Sequence, residues 1–194
     1  MHGGKRDRWV FAYGSLMWDP GFTPVERRPA VLYGYHRSFC VASRLYRGTA
    51  DDPGLVLGLD RGGSCRGYVL RIAEGDRDRV FVELEAREMP EEIYICRRVR
   101  VAVDGARPDA YALVVDRDNP LYSGGMTADG MARRIVRCTG GRGANRDYLA
   151  NTVYHLDALG IADGPMHRLL ERVEAIAVDQ GTSRQDVVKG GRGR

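Results

Sequence analysis

The hydrophobic pattern of this chain is mostly of strand type over its first two thirds and of helix type over its last third, and that change limits the folds open to it. From Trp9 to Val115 short apolar runs of strand type alternate with glycine turns, whereas beyond Thr127 the apolar residues recur every three to four positions. Trp9 to Tyr13, Ala30 to Gly34, Phe39 to Ala42, Leu55 to Leu59 and Tyr68 to Ile72 read as strands, and Gly62-Gly63-Ser64 predicts a hairpin between the last two. A helix from about Asp76 to Glu88 follows, then strands Ile93 to Val103 and Asp109 to Val115 around the turn dipeptide Asp104-Gly105. In the last third, Thr127 is placed to cap a helix carrying Met131, Ile135 and Cys138. Asn145 is placed to cap another, with Leu149, Thr152, Val153, Leu156 and Leu159 on one face and Gly160 as its stop. Met166, Leu169, Leu170, Val173 and Ile176 mark the final helix. Strands first and helices after predict one α+β domain over residues 9–181, a curved or barrel-like mixed sheet with helices packed around it. Residues 1–8 and 182–194 are expected to be a flexible N-terminus and a flexible basic tail.

Composition serves mainly to exclude. With 43% hydrophobic and 29% charged residues the chain is an ordinary globular one, and no apolar stretch approaches the ~20 residues that span a bilayer. The charged start is followed by too short an apolar run for a secretory signal, so the expectation is a cytoplasmic protein without a membrane partner. The net charge of +4 comes in good part from the two ends, which read as solvated tails rather than as a nucleic-acid arm. Four cysteines, Cys40, Cys65, Cys96 and Cys138, lie far apart with no Cys-x-x-Cys pair and no histidine at ligand spacing. They read as buried free thiols, and no metal site is expected.

Two places carry candidate chemistry. The run Trp9 to Trp18 stops its strand pattern at Gly14-Ser15, so Tyr13-Gly14-Ser15-Leu16 offers backbone N–H groups where no ladder partner follows. Such a turn suits an anion or a carboxylate. On the helix that ends near Glu88, Phe81, Leu84 and Glu88 share one stripe, which predicts an inward-facing carboxylate. Burial raises the pKa of such a group toward values useful for proton transfer, although a pairing with Arg87, Arg97 or Arg98 would also account for it.

These residues add up to a family resemblance. Tyr13-Gly14-Ser15-Leu16-Met17-Trp18, Arg47-Gly48-Thr49 with Pro53-Gly54, Gly62-Gly63-Ser64-Cys65 and Arg87-Glu88-Met89 resemble the ChaC family of γ-glutamylcyclotransferases, bacterial branch. Asn119-Pro120-Leu121-Tyr122 and Gly140 to Leu149 extend the likeness in order along the chain. The resemblance implies a γ-glutamylcyclotransferase-like fold and the cleavage of reduced glutathione into 5-oxoproline and cysteinylglycine, with neither metal nor organic cofactor. It also implies that the turn Tyr13, Gly14, Ser15, Leu16 holds the γ-glutamyl part and that Glu88 carries protons.

Tyr148 and Arg47 are further substrate-binding candidates, the first for the α-amino or α-carboxylate group and the second for the glycine carboxylate. Each also has a plain reading, as a half-buried core tyrosine and an exposed loop arginine. Ser15 has no evident Ser-His-Asp partners and reads as a hydrogen-bonding group rather than a nucleophile. Alternative readings are a cyclotransferase for other γ-glutamyl amino acids or amines, and a regulatory protein that binds a γ-glutamyl compound or anion without turning it over. A third takes Gly140-Gly141-Arg142-Gly143 as a phosphate cradle before a helix, but without the lysine and Ser/Thr of a P-loop.

Overall fold

The computed structural model describes residues 9–88 and 93–190, with the side chains of 85–88 and 180–190 outside that description. In chain order the elements are β1 (Trp9–Ala12), a one-turn 3-10 helix (Ser15–Met17), β2 (Glu26–Ser43), β3 (Gly54–Arg71), α1 (Arg77–Glu88), β4 (Tyr94–Ala102), β5 (Asp109–Val115), α2 (Ala128–Arg137), β6 (Thr139–Gly140), β7 (Gly143–Ala144), α3 (Asn145–Ala158) and α4 (Gly164–Gly190). They fall into two compact units. Among the described residues, one is drawn from those up to Val41 with those of Leu57–Gly124, the other from Ala42–Val56 with those from Gly125 onward.

The first unit is built on a closed barrel of order β1-β3-β2-β4-β5. β1 lies antiparallel to β3, from Trp9 opposite Arg71 to Ala12 opposite Tyr68, and β5 closes the barrel by pairing parallel with β1 at Val10 and Tyr111. The β4–β5 hairpin turns where expected. Asp104 and Gly105 both take positive φ, 47° and 80°, and Val103 and Ala106 exchange two hydrogen bonds across them, the arrangement a tight hairpin needs to match strand twist. Phe11, Phe39, Leu59, Leu70 and Val101 are buried in the core. A side chain of this kind contributes about 1.5–3 kcal/mol when fully buried.

Two strand readings need correction. Ala30 to Gly34 and Phe39 to Ala42 belong to one strand, β2, and Leu55 to Leu59 and Tyr68 to Ile72 are joined in β3, with only Ile72 lying beyond its end. No hairpin forms at Gly62-Gly63. Both glycines take positive φ, 101° and 68°, as does Gly34 in β2 at 83°, and the backbone bends through them while staying in the ladder. Glycine at positive φ can end a strand or be carried within one, and here both strands run on through it.

On β3 of the barrel, Asp60 is buried and takes hydrogen bonds from Arg117 Nε at 2.7 Å, Tyr122 Oη at 2.8 Å and the Arg61 N–H at 2.7 Å. Burial alone would raise this carboxyl, but the three donors outweigh it and hold it below the usual range. Burial and the Asp60 charge also push the Cys40 thiol up to about 12, which makes it inert. Cys40, Cys65 and Cys138 are buried as expected, but Cys96 is exposed on β4.

In the second unit α2, α3 and α4 pack on one another. Thr127 caps α2 as its sequence predicts, its hydroxyl accepting from the Gly130 N–H at 3.1 Å. Leu149, Thr152, Val153 and Leu156 form the buried face of α3, and Gly160, at φ 67°, lets the Ile161 N–H return to the Leu156 carbonyl. Asn145 is not a cap. It is the first residue of α3, Ala144 stands at the cap position, and the Asn145 side chain is buried elsewhere. The backbone of α4 continues to Gly190, past Thr182 where a tail was expected to begin.

Candidate functional site

The sheet stops abruptly where the motif begins. Ala12 opposite Tyr68 is the last paired position of β1, so the carbonyls of the following residues lose their ladder partners. Arg37, on β2 and 2% exposed, takes their place: Nε donates to the Tyr13 carbonyl at 2.5 Å and Nη2 to the Arg66 carbonyl at 2.7 Å. Gly67, between Arg66 and Tyr68, lets β1 pass close; a Cβ there would lie 2.3 Å from the Ala12 carbonyl oxygen.

Beyond Tyr13 the chain turns tightly, with the Met17 N–H bonded to the Gly14 carbonyl and the Trp18 and Asp19 N–H groups to that of Ser15. Tyr13 and Leu16 are buried, so their side chains are part of the core. Gly14 and Ser15 are half-buried. A Cβ on Gly14 would meet Leu57 Cδ2 at 3.1 Å, so the space that this glycine leaves open faces Leu57. The Leu57 carbonyl in turn accepts from Tyr94 Oη at 2.8 Å, which ties the start of β4 to the residue lying against Gly14.

Glu88 is the last residue of α1, one turn beyond the buried Leu84. Its side chain, the expected proton carrier, lies outside the described residues, as does the whole of Met89.

Arg47 and Tyr148 are brought together in the second unit. The Arg47 guanidinium lies 4.9 Å from the centre of the Tyr148 ring and donates through Nη1 to the Arg142 carbonyl at 2.5 Å and, more weakly, to that of Ala144 at 3.4 Å. Burial pulls this guanidinium below the usual arginine range, with the neighbouring Tyr148 opposing the shift. Arg47 is therefore a half-buried, partnered group rather than a loose loop cation, and Tyr148 is half-buried as its plain reading required.

The motif glycines around Arg47 meet backbone to backbone. A Cβ on Gly48 would lie 2.0 Å from the Gly54 nitrogen, one on Gly54 2.1 Å from the Arg47 oxygen, and one on Gly140 2.5 Å from the Gly48 nitrogen. Two further contacts hold this loop to α2: Arg134 Nε donates to the Pro53 carbonyl at 2.6 Å, and Arg137 pairs with the Asp52 carboxylate at 2.8 Å. The phosphate-cradle reading of Gly140-Gly141-Arg142-Gly143 fails here. Those residues form the β6–β7 turn, and the N–H groups of Gly141 and Arg142 donate to the carbonyls of Leu45 and Tyr46 instead of facing an anion.

Arg37 was not among the residues singled out from the sequence, yet a signal was present. It shares the two-residue period of Phe39 and Val41, so a charged side chain stands in register with two core residues. Among the described residues no cluster of His, Cys, Asp and Glu could hold a metal ion, and no helix is long and apolar enough to cross a membrane.

A family model described as ChaC-like protein matches residues 8–176. The chain is 32% identical over 172 residues to the glutathione-specific gamma-glutamylcyclotransferase of Escherichia coli (strain K12), covering 88% of this chain and 74% of that one. It is likewise 32% identical over 177 residues to gamma-glutamylcyclotransferase 2-3 of Arabidopsis thaliana, covering 87% and 89%. The crystal structure of a glutathione-specific γ-glutamyl cyclotransferase from yeast shares the fold, with a TM-score of 0.78 at 24% identity over 86% of this chain and 95% of that one.

Proposed function

The chain belongs to the ChaC-like protein family, and from that membership we propose that it is a γ-glutamylcyclotransferase that degrades reduced glutathione to 5-oxoproline and cysteinylglycine. The observation that carries the proposal is the likeness, over most of its length, to relatives named for that activity. The turn at the end of β1 supports it: a glycine and a half-buried serine follow Tyr13, whose carbonyl is fixed from within the core.

The reaction needs little covalent help from the protein. The α-amine of the γ-glutamyl group, with a reference pKa of ~7.7–8.0, is largely protonated near neutral pH and has to lose a proton before it attacks. In the proposal Glu88 takes that proton. The amine nitrogen then bonds to the γ-carbonyl carbon of the same residue, the bond from that carbon to the cysteine nitrogen breaks, and Glu88 returns the proton to the departing nitrogen; the second proton, left on the cyclised nitrogen, passes through the same carboxylate, so that the lactam keeps one N–H and cysteinylglycine leaves as an ammonium. No water is consumed. Main-chain N–H groups of Gly14 to Leu16 hold the α-carboxylate, and keeping the γ-glutamyl chain folded supplies much of the acceleration through proximity. Arg47 is assigned the terminal glycine carboxylate and Tyr148 the α-amino or α-carboxylate group, each to be tested by its own substitution.

In this reading the enzyme works in the cytoplasm on a soluble tripeptide, without metal, cofactor, membrane or nucleic acid. Release of 5-oxoproline from reduced glutathione by the purified protein tests it, with γ-glutamyl-alanine and oxidised glutathione run in parallel. Release from reduced glutathione alone is the expected result. Equal release from γ-glutamyl-alanine would move the substrate to γ-glutamyl amino acids at large, and no release from any of the three would overturn the proposal.

A further inference from the structure

We infer that Arg37 is a positioning residue for substrate binding: its buried guanidinium sets the orientation of the Tyr13–Gly14 peptide and so aims the Gly14 N–H at the substrate's α-carboxylate. The inference rests on the reading that the Gly14 turn holds the γ-glutamyl part.

Three observations lead to it. Arg37 is 2% exposed, and a guanidinium so far from water needs its N–H groups bonded. Two of them reach main-chain carbonyls, Tyr13 at 2.5 Å and Arg66 at 2.7 Å, both just past the last β1–β3 pair. Satisfying those two carbonyls does more than end a ladder, because the peptide unit is planar and trans. Its C=O and N–H point in opposite directions, so drawing the Tyr13 oxygen toward Arg37 turns the Gly14 N–H to the other side. Gly14 is half-buried whereas Tyr13 is buried, so the edge that faces away from Arg37 belongs to the more open residue. A charge-assisted bond to the oxygen also polarises the peptide and strengthens its N–H as a donor.

The α-carboxylate, on the carbon that bears the attacking amine, makes and breaks no bond itself and carries the same charge in ground and transition states. Disturbing its donor therefore weakens binding without slowing the chemical step. Lysine keeps the positive charge but offers a point donor in place of the planar fork that spans two carbonyls. With Arg37→Lys, KM for reduced glutathione should rise about tenfold while kcat stays within about threefold of the wild type. An unchanged KM in a folded Arg37→Lys protein would overturn the inference, and so would a fall in kcat with KM unaltered.

A second readout does not depend on turnover or on the lysine variant's stability. In 15N-glycine-labelled Glu88→Gln protein the Gly14 amide resonance should shift on adding reduced glutathione, and an unmoved resonance at saturation overturns the inference. If the wild type releases no 5-oxoproline, the functional reading falls by itself. Arg37 is then judged by the Gly14 resonance in the Arg37→Lys protein without ligand: a displaced resonance supports its control of that peptide, and an unchanged one removes it.

Discussion

The side-chain amide of Asn145 makes both hydrogen bonds that a neighbouring strand would make to Leu55: Oδ1 accepts from the Leu55 N–H at 2.6 Å and Nδ2 donates to the Leu55 carbonyl at 2.7 Å. Asn145 is 0% exposed, and Leu55 stands at the second position of β3. One side chain at the start of α3 thereby completes the main chain of a strand 90 residues away in sequence. Asn145→Ala should cost about 2–4 kcal/mol, because it strands a buried donor and a buried acceptor together. Asn145→Asp should be no better, since a carboxylate can accept from the N–H but faces the carbonyl without a donor. Urea unfolding measures both; a loss below about 1 kcal/mol for either variant would mean that water replaces the amide.

The glycine contacts around Arg47 give a second test. Gly48→Ala and Gly54→Ala each place a methyl group about 2 Å from main-chain atoms that cannot give way. Each should cost about 3 kcal/mol or more, or prevent folding. Gly14→Ala should be milder in stability, at about 1 kcal/mol, because its methyl meets the far end of the Leu57 side chain at 3.1 Å. Thermal unfolding of the three variants side by side should give that order.

Much of the fold was legible in the sequence, and the failures share a physical cause. Thr127, Gly160 and Asp104-Gly105 were read correctly because their roles are local: a cap, a helix stop and a two-residue turn depend on neighbours a few positions away. Gly34, Gly62 and Gly63 were misread because positive φ is a local property, whereas its use to bend or to reverse a strand depends on which strand lies opposite. Asn145 failed in the same way, its side chain claimed by Leu55 rather than by the helix beside it. At the candidate site the Tyr13–Leu16 turn was legible as a break in apolar alternation. Arg37 was passed over because an isolated arginine in a strand reads as outward-facing until its period is matched with Phe39 and Val41.

The network on Asp60 should dominate acid sensitivity in the barrel. Its carboxyl is held below the ordinary value, so its contribution is complete above the unfolded carboxylate pKa, ~3.9, and is lost as pH falls through the lower folded value. Asp60→Ala removes the acceptor of Arg117, Tyr122 and the Arg61 N–H and should cost about 2–4 kcal/mol at neutral pH. Arg117→Ala should cost about 1 kcal/mol, because Arg117 is 42% exposed and water takes its place. Equal losses in urea unfolding would contradict this division.

His167 should work in the opposite direction. Its Nδ1 faces the Asp163 carbonyl at 2.7 Å and its Nε2 the Asp157 carboxylate at 2.8 Å, so only the doubly protonated ring donates to both. The Asp163 carbonyl first, and Asp157 after it, raise the pKa above the usual histidine value. A raised folded value stabilises fully below the unfolded pKa of ~6.5 and is lost as pH climbs through the folded one. The difference in Tm between wild type and His167→Gln should therefore be larger near about pH 5.5 than near about pH 8.5. A difference that grows with pH would show the ring to be held neutral.

The proposed role of Glu88 as proton carrier is put to the test by Glu88→Gln. The measurement is the rate of 5-oxoproline release from saturating reduced glutathione by wild type and variant, with calorimetric binding of the tripeptide to the variant beside it. If Glu88 both takes and returns the proton, the substitution should lower the rate by about 100-fold or more, while binding survives. A variant that binds the tripeptide and keeps its rate within about tenfold of the wild type would contradict the assignment.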